Sequence, residues 1–139
     1  MIPVRFFAAM LGAFLLLIGV LSFFGVVDFG APTAGLYAGP GQLIGMFQID
    51  GLHNAIHILF GIWGIAAGLA SWGAARLYAQ LAGLFFGLLF LLGLFFISQN
   101  YGIFGSFMMF NPADNFLNLI LSGLSLFFGL VPDFRPRYA

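Results

Sequence analysis

Leu52-His53-Asn54-Ala55-Ile56-His57-Ile58-Leu59-Phe60-Gly61-Ile62-Trp63-Gly64-Ile65-Ala66-Ala67-Gly68-Leu69-Ala70-Ser71 decides the fold. The run is apolar except in its opening turns, and about 20 such residues carry a helix across roughly 30 Å of bilayer hydrocarbon. Asn54, His57, Gly61, Gly64 and Gly68 recur within it at spacings of 3, 4, 3 and 4. That spacing puts all five on one helix face. No polar–apolar alternation is present, so neither a strand nor a transmembrane barrel is expected.

Three further runs extend the pattern: Phe6 to Val27, Leu77 to Ile97, and the shorter Asn115 to Val131. The first is too long for a signal-peptide core and reads as an uncleaved span. Hydrophobic residues make up 63% of the 139, and only four basic and four acidic side chains are present. A soluble domain is about 25% charged, so this composition excludes a soluble enzyme, a nucleic-acid binder and a disordered chain. The absence of cysteine excludes disulfides and thiolate metal sites. The expected architecture is all-α: one integral membrane four-helix bundle occupying residues 1–139.

Arg5 precedes the first span, Arg76 lies between the second and third, and Arg135 and Arg137 follow the fourth. All four arginines fall on one side, which the positive-inside rule assigns to the cytoplasm together with both termini. Trp72, Tyr78 and Tyr138 are the expected aromatic anchors on that side, Tyr37 and Tyr101 on the other.

The chain reads as a duplicated two-helix unit, with halves at about 4–70 and 75–131. Val4-Arg5-Phe6-Phe7-Ala8 aligns with Ala75-Arg76-Leu77-Tyr78-Ala79 at an offset of 71, and Gly12 falls on Gly83. The second span aligns with the fourth at an offset of 61: Asn54 on Asn115, His57 on Asn118, Gly68 on Gly129, Leu69 on Leu130. Two spans per unit make this a parallel repeat about an axis along the membrane normal.

The fourth span carries Asn115, Asn118, Ser122, Ser125 and Gly129 at the spacing of the second-span stripe. Small residues let helix backbones approach in lipid, and polar ones hydrogen-bond across the contact. Ala79, Gly83 and Gly87 add a small-residue face to the third span. A compact bundle follows, with the second and fourth spans facing its interior. Asp50 and Asn111-Pro112 supply helix-start chemistry, and Asp114 lies in a first turn, where negative charge is favoured.

Counting from the middle of each span places His53, Asn54, His57, Asp114, Asn115 and Asn118 in one polar layer under the outer face. Ionisable groups inside a membrane carry a functional hypothesis. The plain alternative is that His57 hydrogen-bonds to Asn115 or Asn118 and locks the bundle. Haem or a chlorophyll magnesium on His57 is a second option. A metal held by His53, His57 and Asp114 is a weaker third, and no metal is expected. Proton handling is a fourth, with no obvious relay partner in mid-membrane. Gln80 and Trp63 read as packing residues.

Residues 28–51 are rich in glycine and proline yet carry Leu36, Tyr37, Leu43, Ile44, Met46 and Phe47. Such a loop caps the bundle or presses on a partner. The tail Arg135-Pro136-Arg137-Tyr138-Ala139 would be held only by a larger complex.

Arg76-Leu77-Tyr78-Ala79, His53-Asn54-Ala55-Ile56-His57 and Asn111-Pro112-Ala113-Asp114-Asn115 open three of the spans. With them, the chain from Arg5 to about Leu130 resembles a bacterial four-span membrane family known as a domain of unknown function, number 4383. The resemblance implies a bacterial origin and no particular activity. The family pattern often carries histidine at the position of Asn118, so this departure weighs against a symmetric His–His site.

The leading expectation is a structural or accessory subunit in a larger membrane complex, surrounded by lipid, in a bacterial inner membrane or a thylakoid. The rival is a haem- or (bacterio)chlorophyll-binding subunit using His57. A small transporter or channel ranks lower, because the polar layer lies on one side only. An enzyme ranks lowest: no serine stands in an arrangement with a base, and no lysine completes a phosphate-binding glycine loop.

Overall fold

The computed structural model describes residues 3–23, 41–43, 47–49, 51–99 and 112–132, with side chains described outside 41–49 and 96–99. Four long helices dominate: α1 (Val4–Phe23), α2 (Gly51–Ala70), α3 (Trp72–Gln99) and α4 (Pro112–Leu130). All four are long and apolar enough to cross a membrane. Between α1 and α2 lies a two-stranded antiparallel ribbon, β1 (Gly41–Leu43) with β2 (Phe47–Ile49), in which Gln42 pairs with Gln48. Its brevity suits a segment punctuated by glycine. The aromatic anchors Tyr37, Tyr101 and Tyr138, the caps Asp50 and Asn111, and the tail after residue 132 lie outside the described residues.

The helices pack as two antiparallel hairpins, α1 with α2 and α3 with α4, and the hairpins then join. Glycines set the first contact. A Cβ on Gly12 would stand 2.5 Å from the Ile65 nitrogen and 2.7 Å from the Gly61 oxygen. One on Gly61 would stand 2.5 Å from the Leu16 nitrogen. Backbone thus meets backbone across α1 and α2, which only residues without a side chain permit. Gly61 and Gly68 of α2 face α1, Gly64 faces both Gly12 of α1 and Tyr78 of α3, and Asn115 and Ser122 of α4 meet α3. From Gly61 and Asn115 onward both stripes are buried inside the bundle, and their closest contacts, that of Gly64 with Tyr78 apart, lie within their own hairpin. Adjacent antiparallel helices are where glycine gains the closest approach.

Aromatic rings join the hairpins. Phe60 of α2 stacks on Phe85 of α3 with centroids 4.7 Å apart, and Trp63 meets Tyr78 edge-on at 5.1 Å. On the other flank Phe7 of α1 stacks on Phe128 of α4 at 4.4 Å. Phenylalanine therefore both seals the interior and faces outward, the latter at Phe6, Phe14, Phe116 and Phe127. Tyr78 is not an interfacial anchor. It is fully buried in α3, against Gly64 of α2.

The α2–α3 turn is tighter than the apolar runs suggest. Ser71 alone separates the helices, and its Oγ accepts the Ala74 N–H at 3.1 Å. This cap starts α3 five residues before the apolar run at Leu77 and places Arg76 within its second turn.

Candidate functional site

A helix leaves its last four carbonyls without intrahelical donors, and in lipid such groups cost several kcal/mol unless satisfied. At the ends of α2 and α4, arginines meet them. Arg5 donates from Nε to the Gly68 carbonyl at 2.9 Å and from Nη2 to Leu69 at 2.7 Å. Arg76 donates from Nε to Gly129 at 3.0 Å and from Nη2 to Leu130 at 3.2 Å. The donors differ by 71 positions and the acceptors by 61, so one contact is made twice. Gln80 Nε2 adds a second donor to Gly129, at 2.9 Å. The cations also face the negative end of each helix dipole. Sequence reading found both arginines but not what they hold.

The opposite end carries the polar layer. His53, Asn54, Asp114, Asn115 and Asn118 are all buried, while His57 is half-buried, close to Gly19 of α1. The His53 and His57 ring centroids lie 6.2 Å apart. His53 and Asp114 are equivalent under the 61-residue offset, as are Asn54 and Asn115. Among the described residues, no three of histidine, cysteine, aspartate or glutamate gather into a metal site. The weaker trio of His53, His57 and Asp114 is therefore not assembled.

Asn115 shows how closely this layer packs: a Cβ on Gly93 of α3 would collide with its Oδ1. The equivalent position on α1 is Ser22, buried and missed by sequence reading. The 71-residue offset pairs it with glycine and so gives no polar signal there. Several atoms here hydrogen-bond to nothing among the described residues: Ser22 Oγ, Asn54 Nδ2, Asn115 Oδ1, Asn118 Nδ2 and Ser125 Oγ. Ser122 differs, donating from Oγ to the Gly83 carbonyl at 2.8 Å.

The Tyr78 hydroxyl is likewise buried without a partner among the described residues. Phe7 holds the equivalent place in the first hairpin, so ring packing does not require the oxygen. A buried polar group without a hydrogen bond costs about 1–3 kcal/mol. Tyr78→Phe is expected to leave stability unchanged or raise it by about 1 kcal/mol in reversible micelle unfolding. A clear loss of stability would mean that the hydroxyl has a partner.

Four apolar helices of spanning length, closed at one end by arginines and lined at the other by buried polar side chains, define a multi-pass membrane protein. Within that class the chain belongs to the family described as a domain of unknown function (DUF4383), whose model matches residues 5–131. No curated protein and no solved structure matches it.

Proposed function

We propose that the chain is a non-catalytic structural subunit of a larger bacterial membrane assembly, built from a duplicated hairpin, with its arginine end at the cytoplasmic face. One observation carries this reading. Arg5, Arg76, Gln80 and Ser122 all donate to main-chain carbonyls of the partner helix in their own hairpin. These polar groups fasten helices together. Outward, each helix presents large apolar side chains, as Phe6, Met10, Phe14 and Leu17 do on α1, for lipid and neighbouring helices to cover. The repeated arginine contact supports the duplication.

Purification from the native membrane in mild detergent, with mass spectrometry of co-eluting chains, tests the assignment. A stoichiometric partner set is expected. The chain eluting with lipid alone would overturn it. Orientation is separately testable, because the protein has no native cysteine. Ser71→Cys should react with impermeant maleimide only after the cells are opened.

A second reading places a porphyrin or chlorin against His57, whose ring is half-buried beside the buried His53. Soret or red absorbance lost in His57→Ala would favour it, and a colourless protein would dismiss it.

A further inference from the structure

The arginine end of the bundle holds more charge and more donors than its caps use. Arg5 and Arg76 each donate once from Nε and once from Nη2. A guanidinium carries five N–H groups. The Nη1 pair and the second Nη2 hydrogen of each arginine therefore meet no acceptor among the described residues. The helix C-terminus that each one faces offsets about half a unit charge. The remainder has no counter-ion among the described residues. Their one carboxylate, Asp114, stands in the first turn of α4, about 22 Å along the helix from Gly129 at 1.5 Å rise per residue.

Apolar side chains adjoin each cation. Phe6 follows Arg5 on α1, and Leu69 lies in the last turn of α2 that Arg5 caps. Leu77 follows Arg76 on α3, and Leu130 ends the α4 that Arg76 caps. All four side chains are more than half exposed. Phe6 and Leu77 are equivalent under the 71-residue offset, and Leu69 and Leu130 under the 61-residue offset. The arrangement is thus present twice: open guanidinium donors at the end of a span, beside two outward apolar side chains. A small anion would engage only the cation. A molecule with an anionic head and an apolar tail engages both, and the arginine fork suits phosphate oxygens.

We propose that each arginine cap seats the phosphate of an anionic phospholipid. Its acyl chain lies against Phe6 and Leu69 at one seat, and against Leu77 and Leu130 at the other. The lipid supplies the counter-charge, and the cap stays intact because carbonyls and phosphate take different N–H groups. Phosphatidylcholine also has a phosphate, but its choline returns the positive charge. The seats belong to the chain itself, so they do not depend on the subunit assignment.

The test offers the full-length chain in detergent equal amounts of phosphatidylglycerol and phosphatidylcholine with the same acyl chains. Native mass spectrometry reads what is retained. Severalfold preference for phosphatidylglycerol, one per arginine, is the expected result. Leu69→Glu and Leu130→Glu leave each cap in place and bring a carboxylate to its guanidinium, so each should lose one lipid. Circular dichroism verifies their folding. Equal retention of the two lipids would overturn the seats. So would phosphatidylglycerol retained in full by the variant carrying both glutamates. Glycerol 3-phosphate at constant ionic strength should not displace the lipid; displacement would give the seats to free phosphate instead. Asp133, outside the described residues, follows α4 closely in sequence. A preference absent in the wild type and gained in Asp133→Asn would make the counter-ion the chain's own carboxylate, and the lipid seats would fall.

Discussion

Gly12→Ala will drive α1 and α2 apart and destabilise the protein by about 3 kcal/mol, the upper part of the range for overpacked interiors. The added methyl would stand 2.5 Å from the Ile65 nitrogen, 2.7 Å from the Gly61 oxygen and 2.8 Å from the Gly64 carbonyl carbon. All three are backbone atoms, so no rotamer change relieves the clash. The helices must separate, and the close approach along the seam is lost with them. Gly123→Ala is the control. It faces open space, and alanine's better helix propensity should leave stability equal or higher by up to about 1 kcal/mol. Denaturant unfolding in micelles, followed by circular dichroism, measures both. Equal stability for Gly12→Ala and wild type would mean that α1 and α2 do not meet backbone to backbone.

The same glycines explain how much was legible in advance. Four spans, the stripe on α2 and its polar counterpart on α4 follow from residue spacing, because apolar length and helical period are local properties. Which helix a stripe faces is not local. Gly61 reads identically whether it meets α1 or α4, and only Leu16 standing against it decides the matter. Tyr78 was misplaced for a related reason. Beside Arg76 it looks like an interfacial aromatic, but Gly64 on another helix opens the space that takes its ring inside. The start of α3 was set by the Ser71 hydroxyl, which an apolar-run count passes over. Of the polar layer, residue types and depth were legible, and Ser22 was hidden because its counterpart is Gly93.

The repeat offsets carry further than the alignment itself. Applied to the arginines, they pair contacts rather than letters: Arg5 with Gly68 and Leu69, Arg76 with Gly129 and Leu130. Aligned positions that make equivalent contacts belong to equivalent hairpins. Where they differ, as Ser122 differs from Gly61, the seams close differently: glycine meets Leu16 in one, and a serine hydroxyl donates to the Gly83 carbonyl in the other.

Removing the arginine caps should therefore give one full loss, one partly masked loss and one amplified loss. Arg5→Ala strips its donors from Gly68 and Leu69, leaving two helix-end carbonyls at the membrane edge. A hydrogen bond to a charged group contributes about 1.5–3 kcal/mol, and solvent near these exposed groups replaces part of it, so about 2 kcal/mol is expected for Arg5→Ala. Arg76→Ala costs less at Gly129, where Gln80 still donates. The double variant Arg76→Ala/Gln80→Ala removes every donor shown at that carbonyl and should lose more than the sum of the singles, because each partner masks the other's absence. Lysine is a poor substitute. Its single ammonium lacks the planar fork that reaches two successive carbonyls, so Arg5→Lys should recover at most half the loss. A strictly additive double variant, or full rescue by lysine, would mean that the arginines act only as charges near the helix ends and not as caps.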